Sequence, residues 1–146
     1  MILTFTDGVY YEQTCDYNPL FWSSSMKILH VEDNEEIVEP AKVLFESAGH
    51  KYHYTLDGRV GLQAIRDDKY DVVFLDLMMP EFSGFDVVDN LEKENLLKKQ
   101  TVFVFSAMTL PQEQETKLLN QGVREVLRKP IFLTDLIKKV ELLQVH

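Results

Sequence analysis

The residues after Met26 predict an α/β fold, a doubly wound parallel sheet of five strands with helices on both faces, on three observations. Short apolar runs alternate with amphipathic stretches five times from Lys27 onward, the pattern of a parallel sheet covered on both sides. The first, third and fourth of those runs are nearly all apolar, as strands buried on both faces must be, and so belong at the centre. A composition of 45% hydrophobic and 27% charged residues, with Gly and Pro at only 6 and 5, excludes collagen-like and wholly disordered chains. At 146 residues the chain holds one ordinary domain, or a smaller one with a tail, and not two.

The predicted strands are Ile28–Val31, Lys51–Thr55, Val72–Leu75, Val102–Phe105 and Val123–Leu127. Helices are expected over 35–48, 58–67, 84–98, 111–121 and 132–143; in the last, Leu133, Leu136, Ile137, Val140 and Leu143 form one stripe. Gly49 and Gly122 stand where helix C-caps belong. Pro40 falls inside the first helix, where its missing N–H should bend the helix or move its start. The fourth helix has only Leu118 and Leu119 as strong anchors beyond Leu110, so little apolar burial holds it and it is expected to be the most mobile.

Residues 1–25 differ from everything that follows: they contain no Lys or Arg, three acids and six aromatics. A domain boundary is drawn there, separating an N-terminal extension of unknown role (1–25) from the main domain (26–146). No basic start or continuous apolar stretch marks a secretory signal. A poorly ordered tail, or a start codon that belongs at Met26, ranks above an aromatic arm docking on the domain or a partner.

Fifteen Lys+Arg against twenty-four Asp+Glu give a net charge of -9, without the positive footprint of a nucleic-acid binder. A single cysteine, Cys15, forms no intramolecular disulfide, and no apolar run approaches the roughly 18 residues of a membrane span. A cytoplasmic protein, with neither nucleic acid nor membrane among its partners, is the expectation.

Open parallel sheets bind ligands beyond the carboxyl ends of their strands. The residues ending the runs are Glu32 and Asp33 (first), Asp76 (third), Ser106 (fourth) and Lys129-Pro130 (fifth). Singly, each has a plain structural reading: Asp33 or Asn34 as a helix N-cap, Asp76 as a turn residue, Ser106 as a small loop residue, Lys129 as a solvated charge. Together they share one rim, where three acids resist ionising side by side unless a cation sits among them. Oxygen ligands without His or Cys suit Mg²⁺. An ion on one side and Lys129 on the other would hold a phosphoryl group, with Ser106 donating to one of its oxygens.

The segments KILHVEDNEE (27–36), VVFLDLMMPEFSGFDV (72–87), VFVFSA (102–107) and VLRKPI (126–131), in order at strand ends, resemble the receiver domains of two-component response regulators, of the small chemotaxis kind. The match covers about 26–145. The resemblance implies a flavodoxin-like fold with strand order 2-1-3-4-5. It implies that Asp76 accepts a phosphoryl group from a histidine kinase or phosphotransfer protein. Mg²⁺ would be held by Asp33, Asp76 and the main-chain carbonyl of Met78, with Glu32 acting through water. Lys129 would neutralise phosphoryl charge, and Ser106 would be the switch hydroxyl that moves its loop. A cis Lys129-Pro130 bond is implied as well, and Gly84 fits the tight loop after the acceptor.

Three departures shape the expected output. Val126 occupies the position where many relatives carry a rotating Tyr or Phe, so a swinging aromatic is not the readout. Met78 and Met108 stand where polar groups in some relatives orient the attacking water, which predicts slow self-dephosphorylation. The chain ends soon after the last helix, which predicts a stand-alone switch, monomeric or dimerising on phosphorylation, that signals through the surface of the fourth helix, last strand and fifth helix. An alternative is a receiver-like interaction module that is never phosphorylated. An enzyme of the haloacid-dehalogenase kind is disfavoured, because that chemistry wants a second Asp where Met78 stands.

Among the remaining residues, His30 is read as a satisfied interior imidazole. His50 and His53 are read as surface residues, on opposite faces of a strand. The lysines of 93–99 and 138–139 are read as solvated helix faces, and neither Cys15 nor Ser24 has a base nearby for nucleophilic catalysis.

Overall fold

The structure, a computed structural model, describes residues 2–6, 9–13 and 24–144. Strands β1 (Ile2–Thr6) and β2 (Val9–Gln13) pair antiparallel as a hairpin. Cys15 and most of the aromatic segment before Met26 lie outside the described residues. Ser24 is exposed, and its carbonyl accepts a hydrogen bond from Gln144 Nε2 at 2.7 Å.

The main domain runs β3 (Lys27–Val31), α1 (Glu35–Ser47), β4 (Lys51–Thr55), α2 (Gly58–Asp67), β5 (Val72–Asp76), α3 (Gly84–Lys93), β6 (Thr101–Ser106), α4 (Gln112–Gln121), β7 (Glu125–Arg128) and α5 (Leu133–Leu143). All five strands are parallel in the order β4-β3-β5-β6-β7, which is 2-1-3-4-5 counted from β3. The three apolar runs are the central strands, as expected.

Alternation along the strands sorts side chains onto two unlike faces. Leu29, Val31, Val73, Leu75, Val102 and Val104 join residues of α2, α3 and α4 in one aliphatic core. Ile28, Val72, Phe74, Phe103 and Phe105 pack with Phe45 of α1 and Leu136 and Val140 of α5 in the other. That second core is a stack of rings: Phe74 lies 5.6 Å from Phe105 and 5.7 Å from Phe103, and Phe45 stacks on Tyr52 at 5.4 Å. Burying each such ring contributes about 1.5–3 kcal/mol, enough to hold both helices on the sheet.

Helix ends follow local chemistry. Asn34 caps α1 by accepting from Glu36 N–H, and Ser83 and Asp86 form a reciprocal capping box on α3. After α1, Gly49 adopts φ +85° while its N–H and that of His50 return to the carbonyls of Glu46 and Phe45. Gly122 closes α4 in the same manner with φ +118°.

The predicted helix over 84–98 stops at Lys93, because Asn95 (φ 56°) takes the left-handed conformation and Leu96 N–H returns to Leu91 O. Asn tolerates that conformation almost as glycine does. The last strand starts at Glu125, two residues later than expected, because Val123 N–H caps α4 on Leu118 O. Helix α1 passes through Pro40 without moving its start; the helical bond Pro40 cannot donate is the one to the carbonyl of Glu36, an exposed position. Helix α4 buries only Leu118.

The reading of His50 as a surface residue is corrected: it is 4% exposed, accepts Met26 N–H at Nδ1 (3.2 Å), and its ring lies 6.1 Å from that of Phe45. It belongs to the turn after α1 and not to the strand, at the position whose side chain folds back onto the last helical turn. His53 is exposed. His30 is fully buried, with Nδ1 2.6 Å from the Tyr52 hydroxyl. It is only half satisfied, because its Nε2 has no hydrogen-bond partner among the described residues.

Candidate functional site

The parity that separates the two cores also assembles the site. Glu32 follows His30 and Ile28, Asp76 follows Phe74, and Lys129 follows Leu127, so all three continue the aromatic face, Asp76 at the end of its strand and the other two just past theirs. The ladder outlasts the strands just enough to place them: Glu32 N–H donates to Thr55 O (3.1 Å) and Lys129 N–H to Ser106 O (2.9 Å). Asp33 has the opposite parity and is exposed. Asp76 ends β5 opposite Phe105, and Met78 N–H donates to its Oδ1 at 3.1 Å.

Gly84 closes the loop behind Asp76. Its N–H donates to Leu77 O, and a Cβ there would lie 2.2 Å from Asp76 O. Only glycine lets α3 start this close to the end of β5. The Lys129-Pro130 peptide bond is cis, as the resemblance implied.

Carboxylate oxygens of Glu32, Asp33 and Asp76 all lie within 4.8 Å of one another. Lys129 Nζ reaches Glu32 Oε2 at 2.7 Å and Asp76 Oδ2 at 3.4 Å. Asp76 is 3% exposed and Glu32 1%, so two carboxylates share one ammonium out of water. Burial pushes the Glu32 carboxyl up to about 6 and the Asp76 carboxylate adds to the rise, against the hydrogen bond from Lys129. Three acids and one base leave net negative charge at a cleft of about 850 Å³. An all-oxygen set with this imbalance fits a hard divalent cation.

Ser106 is buried. Its Oγ donates to Met108 O (2.6 Å) and accepts Met108 N–H (3.2 Å), so the hydroxyl is engaged by its own loop. Met78 and Met108 are both exposed flanks of the strand ends. Glu32, Asp33, Asp76, Met78, Ser106 and Lys129, the site residues read from the sequence, therefore come to the same end of the sheet. Sequence reasoning missed Glu35, Glu36 and Leu56, which line the cleft. The run EDNEE held the first two in view; nothing in the pattern pointed to Leu56, which arrives on the β4–α2 connection.

An acidic, lysine-bearing pocket at the carboxyl edge of a 2-1-3-4-5 sheet is the arrangement of a flavodoxin-like fold with its site at the strand ends. The family model of the response regulator receiver domain matches residues 28–141, and the chain belongs to that family. It is 29% identical over 130 residues to hybrid signal transduction histidine kinase B of Dictyostelium discoideum, covering 82% of this chain and 6% of the relative. It is 26% identical over 113 residues to response regulator SaeR of Staphylococcus aureus, covering 77% of this chain and 48% of the relative. The chain thus spans half or less of the curated relatives it matches. Among solved structures, the receiver domain of Francisella response regulator 1452 superposes with a TM-score of 0.72 at 30% identity, covering 82% of this chain and 96% of the other. Response regulator TrrA of Thermotoga maritima, in complex with Mg²⁺-BeF, gives 0.66 at 25% identity over 81% and 98%. Among the described residues, no helix is long and apolar enough to cross a membrane.

Proposed function

We propose that this receiver domain is a cytoplasmic phosphorylation switch. Asp76 takes a phosphoryl group from a phosphohistidine of a sensor kinase or phosphotransfer protein. A carboxylate oxygen of Asp76 forms the new P–O bond as the P–N bond breaks, and the imidazole leaves with the electron pair. The observation carrying this reading is the convergence of Glu32, Asp33 and Asp76 within 4.8 Å, with Lys129 on two of them.

Mg²⁺, held by Asp33, Asp76 and the Met78 carbonyl with Glu32 through water, would supply charge neutralisation for the transferring group. Met78 N–H orients the Asp76 carboxylate. Lys129 exchanges its contact with Asp76 for a phosphoryl oxygen while staying paired with Glu32. Ser106 exchanges Met108 O for another phosphoryl oxygen, which pulls the β6–α4 loop and biases the surface of α4, β7 and α5 toward a partner protein. With Val126 in β7, that bias is passed on by the loop and not by a turning ring. Met78 and Met108 offer no side-chain group to orient a water, so the acyl phosphate is long-lived, and Met78→Asn shortens its lifetime.

Incubation with acetyl phosphate and Mg²⁺ followed by intact-mass measurement tests the reading. The wild type should gain one phosphoryl group and Asp76→Asn none; an unlabelled wild type would favour an interaction module that is not phosphorylated.

A further inference from the structure

Leu118 is the only side chain that α4 buries, where every other helix around the sheet buries two or more. The stripe of α4 that faces α3 is Gln114, Lys117, Leu118 and Gln121, opposed by Phe85, Asp89 and Glu92; spacings of three and four keep each set on one face. The two stripes do not close, and a cleft of about 180 Å³ lies between the helices. What spans it is polar and belongs to the C-terminal half of α4. Gln121 Nε2 donates to Asp89 Oδ1 and to Glu92 Oε2, both at 2.7 Å, and Lys117 Nζ stands 3.5 Å from Asp89 Oδ1.

From this geometry we infer that Asp89 and Glu92, gripping Gln121, form a latch that holds α4 in its resting place and sets how readily the helix is displaced. A single buried leucine is a small anchor, so the polar contacts decide a large share of how often α4 opens. Both hydrogens of the Gln121 amide are used, one on each carboxylate, which makes both bonds charge-assisted. The exposed Lys117–Asp89 pair adds little to them. The latch ties the C-terminal end of α4 to α3, and α3 is itself fixed against the end of β5, where Gly84 meets Asp76. The β6–α4 loop, with Ser106 and Met108, enters at the other end, where no side chain caps the helix. A pull on that loop therefore works against the latch. This last step rests on the phosphorylation switch proposed above; the latch itself does not.

The test joins amide hydrogen exchange of α4, read by NMR on the full chain, to titration with beryllofluoride and Mg²⁺, a phosphoryl mimic that binds reversibly. Gln121→Ala removes both bonds and should speed exchange in the last turns of α4 about 10-fold; Asp89→Ala, which leaves Glu92 on Gln121, should speed it about 5-fold. Adding Asp89→Ala to Gln121→Ala should change little more, because the two residues share one interaction. Asn120→Ala, at an exposed position of the same turn, controls for helix propensity and should leave exchange near that of the wild type. A ligand that needs the displaced helix binds in proportion to the fraction displaced, so both latch variants should also take beryllofluoride more tightly, by a similar factor. Unchanged α4 exchange in Gln121→Ala would overturn the inference, and so would faster exchange with beryllofluoride affinity equal to that of the wild type. A wild type that takes no beryllofluoride would sink the phosphorylation reading instead, and exchange alone would then decide the latch.

Discussion

The two faces of this sheet use the same strands and solve different problems. The aliphatic face is covered by three helices and filled closely: a Cβ on Gly61 of α2 would lie 2.6 Å from Val31 Cγ2, and one on Gly84 would meet the backbone at Asp76. The aromatic face is covered by two helices, carries stacked rings and a fully buried histidine, and retains a 440 Å³ cavity. The charged cluster grows from the second face. Planar rings give that side a rigid floor, and the pocket lies beside them where Ile37 of α1 and Leu133 and Leu136 of α5 meet the ends of the strands.

Core truncation should separate the faces most strongly. Leu91→Ala, on the filled face, is expected to cost about 4 kcal/mol, and Leu136→Ala, which already borders empty space, at least about 1 kcal/mol less, because fewer contacts are lost. Urea unfolding measures both, and equal costs would break the distinction.

Gly84→Ala forces a helix of the filled face off the end of β5. It should lower stability by about 1–3 kcal/mol and slow acetyl-phosphate labelling of Asp76, since the carbonyl it strikes belongs to that residue. Unchanged labelling would show that the close approach matters to packing alone.

The pH response belongs to the aromatic face. Burial, helped by the Lys129 ammonium, lowers the His30 pKa from 6.5 to about 3. The unfolded chain therefore binds a proton below 6.5 that the folded one refuses. Stability from this group is full above that pH and falls on acidification, by up to about 1.4 kcal/mol per pH unit, until about pH 3. Glu32 works in the opposite sense: its raised value means that the folded chain holds a proton the unfolded one has lost, so its stability contribution declines as pH rises through about 6. Comparing wild type with His30→Gln cancels the Glu32 contribution. The variant should lose less stability than the wild type on acidification, by the share that His30 contributes beside His50 and the paired carboxylates, as denaturant titrations from pH 7 to pH 4 would reveal.

The smallest effect is expected outside both cores. Arg66 of α2 pairs with Glu94, the residue that follows α3, with both side chains about a third exposed. Glu94→Gln should cost less than about 1 kcal/mol, and less still in high salt. A larger loss would mean that this ion pair, and not the aliphatic filling, holds the two helices together.

Much of this was legible in the chain. Alternating runs such as VFVF specify strands, and because side chains alternate with a period of two, the same letters specify that phenylalanines share one face and valines the other. The acids and the lysine at run ends were legible too, since strand ends in a parallel sheet share an edge. Short-range signals failed where two turn chemistries competed, as at Asn95, where a left-handed asparagine ended a helix whose lysine-rich pattern read on to residue 98.

What the sequence determined by itself is periodic and local: strand parity, capping residues, and the identity of the groups at the rim. What the tertiary structure alone decided is distance and vacancy. That Lys129 reaches two carboxylates, that Leu56 faces the cleft, that His50 is buried and that one nitrogen of His30 has no partner among the described residues all depend on how α1, α5 and the β4–α2 connection settle on the sheet. Those placements arise from packing between residues far apart in the chain, and packing is set by shape in three dimensions, which no local pattern encodes.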